Sequence, residues 1–315
     1  GVKLKASTEG RDVGIDRARG GCTKRSAHTK RRAIAMRRLT RVACKLRRAK
    51  TRKSVMNTGA MAALGYNARA YGAGPSELLR TRRAFAKVLR KPWPGRCLTT
   101  LLALEGSDPA ITLARSQLEA WFDLWACRSD LRAGAVRAWR KVRERLELAA
   151  PRTRWQQRRG AVASLILLLW RAKWDPVEAT RWIGEEGTSW HMQLENSAKY
   201  PSEIIEAIMR SGQAQRGRKA SEHRHGKGWQ GGADLTDFKQ HVRRLRRNGR
   251  TEEYGALLLA ACAGTWTPAR VRECFPEEKS PYCKCGAIAE EFQMIWGQCR
   301  QRNHDRERSG SPDGG

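Results

Sequence analysis

The stretch from Lys24 to Lys53 reads KRSAHTKRRAIAMRRLTRVACKLRRAKTRK, and fourteen of its thirty residues are Lys or Arg. It lies inside a longer window, Arg17 to Ser76, that holds seventeen basic residues and no Asp or Glu. Nothing nearby in the chain neutralises such a run, so its field is met from outside. A phosphate backbone is the natural partner, because each docked Lys or Arg also releases condensed counterions. Blocks of like charge are often solvated tails. Here, however, Ile34, Ala35, Met36, Leu39, Val42, Ala43 and Leu46 recur at three- and four-residue steps, which is one stripe of a helix. The pairs Arg31-Arg32, Arg37-Arg38 and Arg47-Arg48 fall mostly off that stripe. The pattern predicts a packed helix that turns its basic side to a nucleic acid. Its candidate phosphate contacts are Lys30, Arg31, Arg32, Arg37, Arg38, Arg41, Lys45, Arg47 and Arg48.

Working outward, the chain has 315 residues, 40% of them hydrophobic, which is enough for roughly two domains and a buried core. A net charge of +32 points to a polyanionic partner and says nothing of the fold. Twelve Trp dominate the aromatic residues and fall mostly inside helical patterns, so most read as core anchors. Nine cysteines at irregular spacing do not form a secreted disulfide framework. They suggest a reducing compartment, hence an intracellular location, nuclear or cytoplasmic. The early four, Cys22, Cys44, Cys97 and Cys127, read as small buried hydrophobes. The N-terminus is charged and has no apolar signal-peptide core. The longest near-apolar run, Ala161 to Trp170, is half a membrane span; it predicts a buried helix and no membrane partner.

The expected fold is mostly α: a multi-helical basic domain, a flexible linker and a small C-terminal helical module with a zinc-knuckle-like end. Residues 1–22 read as a lead-in, with Val2 to Thr8 a short strand and the following segment a loop. Residues 23–210 form the helical domain. In it the basic helix ends near Lys53, and a second helix covers Ser54 to Tyr71. A third has Ser76 as N-cap and Glu77 in its first turn. The KPWPG phrase at 91–95 breaks it. Asp108-Pro109 starts another helix, an N-cap acid followed by Pro at the first helical position. Helices are expected over Leu131 to Leu148 and Trp155 to Trp174. Asp175-Pro176-Val177-Glu178 repeats the start signal, with Gly184 closing a short helix. Ser202 to Met209 gives one more, stopped at Gly212. Residues 211–233, rich in Gly, Arg, His and Gln, read as the linker. The module at 234–299 holds helices at Leu235 to Arg247 and Glu252 to Ala263, and 300–315 reads as a disordered tail.

Cys283, Cys285, Cys299 and His304 form a candidate zinc set, since zinc takes four Cys or His ligands, two of them from a turn. The Cys-x-Cys spacing is tighter than usual, and Gln293 stands where a third-ligand His is expected. A working zinc site and a degenerate, metal-free remnant are both open at this point. Catalytic signatures are absent: there is no GxxxxGK[ST], GxSxG or HExxH phrase and no paired-Asp turn for two magnesium ions. The chain therefore reads as a binding protein without enzymatic activity of its own.

Several phrases carry a resemblance. Val13-Gly14-Ile15-Asp16 before repeated Arg pairs, MNTGAMAALGYNARAYGAGPSELLRTRRAFAKVL at 56–89, KPWPGRCLTTLLAL at 91–104, SDPA at 107–110 and Ala138-Trp139-Arg140 follow one another. Cys283-x-Cys285-Gly, then Phe292, Trp296 and Cys299, close the chain. In this order they resemble the thumb and terminal zinc knuckle of non-LTR (LINE-type) retrotransposon reverse transcriptases, particularly those of dinoflagellate genomes. The resemblance implies a helical clamp on the minor-groove side of a template–primer duplex, gripping the backbone of RNA, an RNA–DNA hybrid or DNA. It also implies that the catalytic x-Asp-Asp turn lies upstream of Gly1, so this chain does not polymerise DNA, and that the family's His is Gln293 here. The alternative is a helical interaction or scaffold protein whose basic face meets RNA or acidic partners.

Overall fold

The computed structural model describes residues 9–12, 15–18, 26–46, 48–89, 96–192, 200–222 and 236–262, with isolated positions beyond. Among them the chain is mostly helical, as the patterning predicts. No described helix is long and apolar enough to cross a membrane. The described residues group into two compact units: 9–89 with 102–222, and 96–101 with 236 onward. The expected boundary at 210 is thus displaced, and 96–101 belong with the C-terminal unit. The Cys97 N–H donates to the Cys262 carbonyl at 2.6 Å, which no local pattern foretells.

The first unit opens with an antiparallel hairpin, β1 (Glu9–Asp12) and β2 (Ile15–Ala18), where a loop is expected from sequence. Then come α1 (Ser26–Lys45), α2 (Ala49–Val55), one π-helical turn (Met56–Ala60) and α3 (Met61–Tyr71). The basic run is therefore two helices, divided at 46–48. Helix α4 (Pro75–Leu89) starts at Pro75, and its first turn is organised by Glu77 rather than Ser76. The Glu77 carboxylate reaches back to accept the Gly74 N–H at 2.9 Å, the N3 half of a capping box with Pro at N1.

Helix α5 (Leu98–Glu105) leads to α6 (Pro109–Cys127), which starts as its sequence signal predicts: Asp108 Oδ1 accepts the Ala110 N–H at 2.9 Å. Helix α7 (Ser129–Leu148) follows. The single helix expected over Trp155 to Trp174 is instead a 3₁₀ turn (Arg154–Gln157) and α8 (Gly160–Arg171). Every side chain of α8 from Ala163 to Leu169 is buried, as a helix without a polar face must be.

Around α8 stands a tryptophan core. Trp121 lies 5.2 Å from Trp139 between ring centroids, and Trp139 stacks on Trp182 at 6.3 Å with planes 13° apart. Buried indole N–H groups usually find partners, and two here do. Trp121 donates to the Ala179 carbonyl and Trp139 to that of Pro176. The expected short helix at 175–184 does not form. The segment makes β3 (Arg181–Ile183) and β4 (Ser189–His191), an antiparallel pair with Trp182 opposite Trp190. Burying Trp182 between Trp139 and Phe122 outweighs a local cap signal worth about 1 kcal/mol.

Helix α9 (Tyr200–Ser221) also departs from expectation: it passes Gly212 and runs on to Ser221, well inside the anticipated linker. An interior Gly costs about 1 kcal/mol. Here Ser211 accepts the Trp174 indole N–H at 3.0 Å, and Gln215 and Arg218 both bind Glu185, so tertiary contacts offset that cost. Gly72, after α3, is needed as glycine. Its φ is +57°, and a Cβ would stand 2.8 Å from Gln117 Oε1. That gap lets α3 close on α6 and α8, where Gln117 donates to Ser164 Oγ at 2.7 Å.

In the second unit, α10 (Thr236–Arg247) and α11 (Thr251–Ala261) form a helical hairpin. Gly249, at φ +70°, ends α10, and the Arg250 N–H returns to the Leu245 carbonyl at 3.0 Å. Leu245, Tyr254, Leu258 and Cys262 are buried in this unit. Cys44 and Cys127 are exposed, which corrects their reading as buried hydrophobes. At those helical positions the side chain points away from the core, and Cys is small and tolerable there.

Candidate nucleic-acid interface

Helix α1 has two faces. Ala35, Leu39 and Val42 are buried, at steps of four and three, and Leu46 continues their line half-buried. This seam packs on α3 and α4. Ile34, expected in the apolar stripe, is 46% exposed. At about 100° per residue it lies roughly a quarter-turn from Ala35, outside the buried seam.

The same rotation sorts the nine candidate cations. Lys30, Arg37, Arg41, Lys45 and Arg38 fall within a band about 100° wide that runs beside the seam, Arg37 farthest from it and Arg38 at its near edge. All five are exposed, and so is Arg48 just past the helix end. Among the described residues, Lys30, Arg37, Arg41 and Lys45 have no carboxylate within ion-pairing distance. Arg38 makes one long contact, to the Gly59 carbonyl at 3.4 Å. Two of the nine are engaged internally. Arg32 pairs with Glu77 at 3.2 Å, joining α1 to α4, and the Arg31 guanidinium lies 4.2 Å over the Tyr66 ring. Arg47 lies outside the described residues, as do the proposed zinc ligands Cys283, Cys285, Cys299 and His304.

Fifteen residues separate Lys30 from Lys45, a rise of about 22 Å along the helix. With one phosphate per roughly 3.4 Å of each strand, that length passes about six phosphates. Five of the exposed cations lie along that length and Arg48 just beyond it, a density close to that of the phosphates. Helix α1 carries no Asn or Gln, the side chains that read adenine edges, and its exposed face is mainly Arg and Lys, which serve phosphate contacts.

Sequence reasoning missed a second basic surface. On α10, Arg243, Arg244, Arg246 and Arg247 are exposed on either side of buried Leu245. The signal was present: Arg-Arg-Leu-Arg-Arg at 243–247 repeats the Arg-Arg-Leu phrase of 37–39. Compared with known proteins, the chain matches no family model, no curated protein and no solved structure.

Proposed function

We propose that this protein binds duplex RNA or an RNA–DNA hybrid through its phosphate backbone, with little regard to sequence and without chemistry of its own. The reading rests on the exposed cationic band of α1, whose sequence surroundings hold no carboxylate and whose Lys30, Arg37, Arg41 and Lys45 pair with none among the described residues. Lys30, Arg37, Arg38, Arg41, Lys45 and Arg48 are the proposed contacts. Arg31 and Arg32 support the band from beneath by fixing α1 against Tyr66 and Glu77. A role as the thumb of a LINE-type reverse transcriptase agrees with this reading: a thumb needs grip on backbone and no base specificity.

Fluorescence anisotropy with two RNA–DNA hybrids of unrelated sequence, and with a single strand of each, tests the proposal. The expected result is affinities within about threefold for the two hybrids, both lost together in the K30Q/R37Q/R41Q/K45Q variant. A hundredfold preference for one sequence, or undiminished binding by the variant, refutes it.

A further inference from the structure

A cavity of about 320 Å³ opens between α4, α6, α8 and α9, wholly inside the first unit. Its wall has two chemistries. Leu78, Ala114, Leu168 and Met209 are apolar, whereas Arg82, Arg171, Arg216 and Lys219 are cationic. The volume equals about ten water molecules, the size of a small-molecule site rather than a seat for a peptide or a helix.

Among the described residues, the carboxylates paired with this group of arginines are fewer than the arginines. Asp108 sits between two of them, Oδ1 at 3.1 Å from Arg82 Nε and Oδ2 at 3.7 Å from Arg216 Nε. The same Asp108 Oδ1 also caps α6. Glu77 is shared between Arg158, at 3.3 Å, and Arg32. Arg171 has no carboxylate partner among the described residues. It donates to the Ala73 carbonyl at 3.3 Å and lies 5.1 Å from the Trp155 ring.

This crowding has a cost. Burial, and after it the like charges of Arg216, Arg158 and Arg82, push the Arg171 guanidinium down to about 10. Burial likewise lowers Arg216, opposed by Asp108. Guanidinium groups do not shed their proton at physiological pH, so the surplus charge stays. A bound anion is what relieves it, and a planar guanidinium pairs bidentately with carboxylate or phosphate.

We propose that this cavity binds a small amphipathic anion, its carboxylate or phosphate held between Arg171 and Arg216 and its apolar body lying along Leu78, Leu168 and Met209. This site is separate from the α1 band, and its occupant is a small molecule and not a polyanion.

Isothermal titration of the full chain with decanoate, decyl phosphate and decanol, each below its aggregation limit, is the test. Either anion should bind one per chain and at least tenfold more tightly than decanol; which of the two is tighter identifies the head group as carboxylate or phosphate. Arg216→Met should weaken the anion at least tenfold, Arg216→Lys should weaken it less, because it keeps the charge and loses the bidentate fork, and Arg37→Met on the exposed band should change nothing. Far-UV circular dichroism confirms that each variant is folded, and Arg171→Met replaces Arg216→Met should the latter not fold. Decanol binding as tightly as the anions overturns the proposal. So does an unchanged Arg216→Met, or an Arg37→Met that loses as much.

Discussion

Two groups of cations in this molecule stand in opposite surroundings. Those of α1 lie within one helix, side by side on its outer face, and water screens them. Arg82, Arg171 and Arg216 come from separate parts of the sequence and line a cavity, with Arg158 near them, where burial leaves them less screened by water. The exposed set needs no internal partner. The enclosed set takes every partner within reach: Asp108, Glu77, a backbone carbonyl and an indole face. The contrast teaches that a basic composition is not one property. In one place charge is kept free for a partner, and in the other it is bound into the fold, with a surplus that the cavity leaves open.

The comparison breaks most readily at Asp108. Asp108→Ala removes the carboxylate between Arg82 and Arg216 together with the α6 cap. Breaking a buried pair in this way costs about 3–5 kcal/mol, read by urea denaturation. A loss below 1 kcal/mol means the enclosed arginines are already hydrated. Glu77→Gln comes next, because it weakens two part-buried pairs and keeps a weaker acceptor for Gly74. About 1–3 kcal/mol is expected, and a neutral result places Arg32 and Arg158 elsewhere.

On the exposed side, Arg37→Gln or Arg41→Gln should shift stability by less than about 0.5 kcal/mol while each lowers hybrid affinity several-fold. A stability loss as large as that of Glu77→Gln erases the distinction between the two groups. The smallest effect is expected at Glu185, exposed beside Arg218, whose hydrogen bond holds the Glu185 carboxyl below its ordinary value. Its contribution is complete above the usual carboxylate range and is lost as pH falls through the lowered value. The difference in melting temperature between wild type and Glu185→Gln should therefore be small at pH 7 and vanish at acid pH. A difference that grows on acidification contradicts that sign.

How far each part could be read from sequence follows from whether its cause is local. The basic helix, the Asp108-Pro109 start and the burial of α8 rest on neighbours within a turn or two, and each is visible in the chain. The β3–β4 hairpin was not, because Asp175-Pro176-Val177-Glu178 carries a sound helix-start pattern that only the packing of Trp182 against Trp139 overrides. The extension of α9 past Gly212 was hidden for the same reason, since its supports are Trp174 and Glu185. Within the interface, the apolar seam was read one residue too wide, at Ile34, and the removal of Arg32 depends on Glu77, forty-five positions away. The arginine cavity had no local signal at all: its members gain meaning only when four elements converge.

The most direct test is the salt dependence of hybrid binding, measured for wild type, for K30Q/R37Q/R41Q/K45Q and for R171M/R216M. With six phosphate contacts, the wild-type plot of log affinity against log salt should have a slope of about −5. Removing four band cations should bring it to about −2, and the cavity variant should keep the wild-type slope. A cavity variant that flattens the slope as much as the band variant does, or a band variant that leaves it unchanged, contradicts the assignment of polyanion binding to α1.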